Sequence, residues 1–331
     1  MIDENARRVA GRLYSSNDRS IERRDAVDLP HASFVDEFVI PNRPVIVSNA
    51  AAHWRALETW TPDYFASAHG SKMVEVSDGV TMRFADFVEA VQSSTPERPA
   101  PYLHKLIITR DMPELLPDVT PGTTYGYPGR LRSPLMPRPW NRPDGYLKLL
   151  LGGRGGRFPF THYDSDNAYA MITGIYGLKE FVLVSPSDSP FLYPKANGSN
   201  VSDIPDLSQV EIDRFPLFAR ASLYRGAIGP GDAIFIPARW WHAARVVETS
   251  ISVCTNSINA YNWKGFVDEV CRPTAGRSSL RQFGKRFVLS AIGVALSGFE
   301  EIQHRAPASN IARVLDHLSP RFAQNGGHLA P

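Results

Sequence analysis

At 331 residues, with 43% hydrophobic and 21% charged side chains, the chain has the composition of an ordinary globular protein and is long enough to bury a sizeable core. Its 36 Lys and Arg nearly balance 34 Asp and Glu, which excludes the charge asymmetry of a nucleic-acid or anionic-membrane binder. Two cysteines, Cys254 and Cys271, with no CxxC pair exclude a disulfide framework and a zinc–thiolate site.

The opening segment, MIDENARRVAGRLYSS, carries acids at Asp3 and Glu4 and no apolar core, so no secretory signal is expected there. In chain order, a strand is expected around Val45 to Val47. A helix follows, with Thr61 as N-cap, Pro62 at its first position and Gly70 past its end. MVEVSDGVTMRF reads as a hairpin turning at Asp78-Gly79, and ADFVEAVQ as a short helix. Two Pro-rich stretches, Ser94–Pro101 and Ser133–Gly145, read as stiff loops. From Tyr146 to about Asn259 the pattern is nearly all β: YLKLLLGG, FTHYD, AYAMITG, KEFVLVSP, DAIFIPA and ISVCTNS, with Gly and Pro between them. From Trp263 onward it is helical, through NWKGFVDEVCRP, LRQFGKRFVLSAIGVALSGFEEI and ASNIARVLDHLS. The apolar run Phe287 to Phe299 is too short to span a bilayer. The expectation is a cytoplasmic protein, mainly β with flanking helices, in three parts: 1–100, an N-terminal α/β segment; 101–262, a β core; 263–331, a helical region.

His162 and Asp164, two residues apart in an apolar context, share a face if the segment is a strand. One imidazole and one carboxylate make two-thirds of a metal site. Most other histidines sit in helical or terminal stretches. His242 differs, because GPGDAIFIPARWWHAARVV supplies a turn, a buried strand and two tryptophans before it. Two histidines and a carboxylate on a β scaffold form the facial triad of non-haem Fe(II) oxygenases, although a ligand set of this kind also accepts other divalent metals.

THYDSDNAYAMITGIYGLKEFVLVSP and YRGAIGPGDAIFIPARWWHAARVVETSISVCTNS resemble the JmjC/cupin-like family of Fe(II)- and 2-oxoglutarate-dependent hydroxylases. The likeness begins at FVDEFVIPNRPVIVSNAAAHWRALETWTPDYF and runs to about Asn256. It implies a double-stranded β-helix, or jelly-roll barrel, with His162, Asp164 and His242 as iron ligands. It further implies Lys179 as the cation for the far carboxylate of 2-oxoglutarate, shared with Tyr102, because the Arg used by other oxygenases of this fold is replaced here by Ser252. Asn167 and Asn256 resemble asparagines near the metal and the co-substrate, and Thr161 precedes the first His. His104 would share the Tyr102 strand face as a substrate contact, and Trp240 and Trp241 are candidate pocket walls. Pro159 stands where the family often has Ser or Thr, and TGIYG lengthens the spacing before Lys179.

The implied activity uses Fe(II), 2-oxoglutarate and O2 to hydroxylate a C–H bond, releasing succinate and CO2. The substrate is expected to be an amino-acid side chain in a protein or peptide, with a small-molecule metabolite as the alternative. Neither nucleic acid nor membrane is expected as partner. The C-terminal helices carry more apolar surface than a short tail needs, and the plainer expectation is that they cover the barrel, with a homodimer as the alternative. A non-catalytic metal- or ligand-binding cupin is the rival from another class, and a Zn- or Mn-dependent isomerase or hydrolase is a second.

Overall fold

The computed structural model describes residues 18–126, 129–133, 135–138, 140, 147–195, 199–272 and 279–305. The strands are β1 (Asp18–Ser20), β2 (Glu22–Asp25), β3 (Val45–Ser48), β4 (Met73–Glu75), β5 (Thr81–Arg83), β6 (Leu103–Ile107), β7 (Leu147–Gly152), β8 (Tyr169–Val184), β9 (Leu223–Ile228), β10 (Ala233–Ile236) and β11 (Trp241–Ser257). The helices of eight residues or more among them are α1 (Pro62–His69), α2 (Phe84–Gln92), α3 (Trp263–Val270) and α4 (Ser279–Arg305).

The expected punctuation of α1 is present: Thr61 accepts from the Tyr64 N–H, and Pro62 occupies the first turn, where its missing N–H costs nothing. β4 and β5 form the expected hairpin. Asp78 and Gly79 both take positive φ, at 61° and 73°, the turn that matches strand twist.

The core is a nine-stranded sheet in the order β2-β3-β10-β8-β11-β7-β6, with β9 paired to β8 and to β1. Two long strands fold this sheet into a barrel. The first half of β8 pairs with β10 and with the end of β11, and its second half pairs with β9 and with the start of β11. Side chains from both halves meet in one interior cluster that includes Ile172, Phe181, Leu183, Ile228 and Cys254. The fold is the expected double-stranded β-helix.

Two expectations are corrected. AYAMITG and KEFVLV are one strand, because the glycines between them make a bulge and not a turn. Gly177 takes φ 68°, and a Cβ there would lie 1.9 Å from the Thr249 carbonyl oxygen. FTHYD is no strand: only His162 bridges to a neighbour on each side, Val201 and His242. Pro159 removes a ladder donor, and Ser165–Asn167 closes into a tight turn with positive φ at Asp166 and Asn167. ASNIARVLDHLS lies outside the described residues.

Strand alternation sorts chemistry onto two faces. Leu147, Leu149 and Leu151 of β7 and Ile251 and Val253 of β11 point outward, into a cluster with Phe65, Phe84 and Phe87 of the N-terminal helices. Leu150 and Cys254 point inward. In β8, Ala170 and Ile172 face the interior, and so do Phe181 and Leu183. The phase changes by one between these pairs, across the Gly177 bulge. That change turns Lys179 inward.

Candidate metal centre and active site

His162 and His242 face each other across a short antiparallel bridge, the His242 N–H donating to the His162 carbonyl at 2.7 Å and the reverse bond spanning 3.2 Å. Their ring centroids are 4.4 Å apart. Each ring places Nδ1 on the carbonyl oxygen two residues earlier, His162 on Phe160 at 3.2 Å and His242 on Trp240 at 3.0 Å. A carbonyl only accepts, so Nδ1 carries the proton in both rings and Nε2 keeps its lone pair for a metal. Burial, with His242 alongside, pushes the His162 imidazole down to about 3, so the neutral ligand form holds at neutral pH. Asp164 completes the set. One ligand atom from each of the three lies within 4.8 Å of the others. Two neutral nitrogens and one carboxylate suit Fe(II), and the donor set fits the metal that the sequence implies.

Farther along the interior, Lys179 is 2% exposed and has no carboxylate beside it among the described residues. Its ammonium donates to the Tyr102 hydroxyl at 2.7 Å and to Ser252 Oγ at 2.6 Å. Both hydroxyls accept from Lys179, so each keeps its own hydrogen for a further acceptor. Three donors therefore converge with no anion among the described residues, which is the environment a buried carboxylate requires. Burial lowers the Lys179 pKa to about 7 and raises that of Tyr102. Gly152 makes the cluster possible: a Cβ there would lie 2.5 Å from the Tyr102 ring. The residue that replaces the missing Arg, Ser252, is thus a partner of the Lys.

An aromatic wall joins the two ends. Phe158 stacks on His162 at 4.6 Å, meets His104 edge-on at 5.1 Å and Tyr102 at 6.3 Å. Phe160 packs against both Phe158 and His162 and remains 36% exposed. His104 lies in this wall, with its Nδ1 on the Tyr102 carbonyl and its pKa lowered chiefly by burial. Neither phenylalanine was singled out in the sequence, where Phe158 and Phe160 merely flank Pro159.

The remaining candidates divide. Asn256 reaches the interior, but both ends of its amide are occupied: Oδ1 accepts from Lys148 at 3.1 Å and Nδ2 donates to the Tyr169 carbonyl at 3.4 Å. Asn167 turns away from this set. It exchanges amide–carbonyl bonds with Asn262 and packs on Gly265, tying the turn after Asp164 to the segment before α3. Thr161 is fully buried and its Oγ1 has no hydrogen-bond partner among the described residues. Trp241 alternates to the face opposite His242, where it meets Tyr163 at 4.8 Å and donates to Ser189 Oγ. It walls the outer layer and not the cavity. Trp240 is buried against Tyr224, and its indole N–H donates to the Asn42 carbonyl. It supports His242 through its own carbonyl.

A β-barrel with two histidines and one carboxylate on its inner wall defines a mononuclear metal site of the oxygenase type. The profile of the cupin-like domain family matches residues 30–266, well over half of the chain, and the chain belongs to that family. Its curated relatives include an arginine-specific demethylase, JMJ20, of Arabidopsis thaliana, 25% identical over 75% of this chain and 61% of the relative. Lysine-specific demethylase 8 of Xenopus tropicalis is 24% identical over 66% of this chain and 49% of the relative. tRNA wybutosine-synthesizing protein 5 of Gallus gallus is 27% identical over 66% of this chain and 71% of the relative. The chain spans about half to three-fifths of the first two relatives. The JmjC family depends on Fe(II) and 2-oxoglutarate, and the His-Asp-His set of this chain supplies the donors for such a metal. No helix among the described residues is long and apolar enough to cross a membrane.

Proposed function

We propose that the chain is an Fe(II)- and 2-oxoglutarate-dependent dioxygenase that hydroxylates a C–H bond of an amino-acid side chain in a protein or peptide. The observation that carries this reading is the buried, uncompensated Lys179 with Tyr102 and Ser252, joined to the triad through Phe158, which touches both Tyr102 and His162. A barrel that merely bound a metal would have no use for a lysine held at such cost. His162, Asp164 and His242 would hold Fe(II), and Lys179, Tyr102 and Ser252 the far carboxylate of 2-oxoglutarate. When bound, the metal and co-substrate supply the oxidising chemistry with O2, at the expense of 2-oxoglutarate, which leaves as succinate and CO2. The chain's own part is to fix the two histidine tautomers, to clamp the co-substrate and to keep water out with Phe158. Phe160, exposed at the rim, would guide the substrate.

The demethylase names of several relatives fit the same chemistry, since hydroxylating an N-methyl carbon releases it. A small metabolite is the alternative substrate. The test is conversion of 2-oxoglutarate to succinate by the purified chain, dependent on Fe(II) and lost in Asp164→Ala. A one-oxygen mass gain in a candidate peptide would then identify the product.

We also infer self-association through α4. Leu280, Phe283, Phe287 and Val294 are 78%, 69%, 70% and 75% exposed and recur at helical spacing, while Leu289 and Leu296 of the same helix are buried against the α3 region. Sedimentation of wild type and Phe283→Glu/Phe287→Glu should show a dimer converted to a monomer; equal masses would sink the idea.

A further inference from the structure

The interior holds a second lysine that neither the triad nor the co-substrate clamp uses. Lys148 lies on β7 in phase with inward-facing Leu150 and directly opposite Cys254 of β11. Its ammonium donates to Asn256 Oδ1 at 3.1 Å, which uses one of its three donors. Among the described residues no carboxylate forms an ion pair with it. His162 and His104, whose pKa values are lowered chiefly by burial, also feel its charge, so Lys148 lies within electrostatic reach of a metal ligand and of the aromatic wall.

Charge balance gives this position meaning. On the reading above, Fe(II), Asp164, the doubly negative co-substrate and Lys179 sum to neutrality. Lys148, half-buried on the inner face, then leaves one positive charge without a counter-ion beside the site. We propose that Lys148 is a specificity residue that receives an anionic group of the substrate, a carboxylate such as an aspartyl or glutamyl side chain, next to the carbon that is oxidised. The same charge repels a methylated lysine or arginine, so selection works in both directions. The inference rests on the Fe(II)/2-oxoglutarate reading.

The experiment uses the full chain loaded with Mn(II), which does not turn over, and saturated with 2-oxoglutarate. Calorimetry then compares N-acetyl-aspartate amide with N-acetyl-asparagine amide, a pair of nearly equal shape. The wild type should bind the aspartate derivative at least about tenfold more tightly, as a charge-assisted hydrogen bond implies. Lys148→Met should erase the preference and Lys148→Arg should keep most of it, while 2-oxoglutarate affinity changes by less than about twofold in both. Unchanged 2-oxoglutarate binding also shows that the variants are folded. No preference in the wild type, or the same preference in Lys148→Met, overturns the proposal. So does a Lys148→Met variant that loses 2-oxoglutarate binding, because Lys148 would then belong to the co-substrate clamp. Failure of the oxygenase reading looks different: the Mn(II)-loaded wild type would not bind 2-oxoglutarate at all.

Discussion

β7 and β11 present two buried faces with opposite chemistry. The outer face, with Leu147, Leu149, Leu151, Ile251 and Val253, packs against Phe65, Phe84 and Phe87, and Thr255, in the same phase of β11, adds one hydroxyl beside Leu147. The inner face of the same strands carries Lys148, Ser252, Cys254 and Asn256 beside Leu150, and Gly152 opens the space that Tyr102 fills. The inner face is half-buried at Lys148 and Asn256 and buried at Ser252 and Cys254, and only the outer one gains stability in the ordinary way, at about 25 cal/mol per Å² of apolar surface buried. The inner face surrenders part of that gain to hold lysines and histidines in place. The difference separates residues that keep the fold from residues the fold keeps for chemistry.

Substitutions on the two faces should therefore fail differently. The largest effect is expected at the triad. His162→Ala or Asp164→Ala should lower Fe(II)-dependent succinate formation by more than about a hundredfold, above the range for outer-shell partners of a metal, with little change in melting temperature of the metal-free chain. Next comes Lys179→Met, which should raise the dissociation constant for 2-oxoglutarate about 30-fold or more. Unlike a core truncation, it should also stabilise the ligand-free protein, by roughly 1–3 kcal/mol, because it removes an unpaired buried ammonium. A destabilised Lys179→Met would break the contrast between the faces. On the outer face Leu149→Ala should cost about 2–5 kcal/mol in denaturant unfolding and leave 2-oxoglutarate affinity nearly unchanged while the protein is folded.

The smallest effect is a pH dependence. Burial lowers the Lys179 pKa to about 7 in the ligand-free protein, below its ordinary unfolded value. Below that pH the folded chain bears the full cost of the buried charge, and as pH rises through the interval up to the ordinary lysine range it sheds that cost and gains stability. Binding a carboxylate has the opposite sign, because it needs the ammonium. Affinity for 2-oxoglutarate should be flat below pH about 7 and weaken by up to about tenfold per unit above it. Lys179→Met should show no such slope.

The sequence made the triad legible because its parts keep a local signature: His162 and Asp164 two apart, and His242 following a Gly-Asp turn, a buried strand and two tryptophans. The barrel was legible from the short apolar runs, although the two longest strands read as separate pieces because Gly174 and Gly177 imitate turns. What sequence could not supply was strand phase. The Gly177 bulge decides which face Lys179 takes, and alternation from Leu150 decides that Lys148 points inward. Asn167 was placed near the metal and the co-substrate by resemblance, but its left-handed backbone, φ 51°, aims the amide at Asn262. Trp241 was assigned to the pocket by adjacency to His242, and adjacency on a strand means opposite faces. Phe158 carried no signal beyond an aromatic two residues before Phe160, and the folded wall alone gives it a role.

The central claim is that the inner face is a joint site for a metal and a 2-oxo acid. It is tested most directly by calorimetric titration of 2-oxoglutarate into the wild type, Asp164→Ala and Lys179→Met, each with and without Mn(II) under anaerobic conditions. The account predicts tight binding only in the metal-loaded wild type, loss in Asp164→Ala, and a large weakening in Lys179→Met. Binding that ignores the metal, or three chains that bind alike, would contradict it.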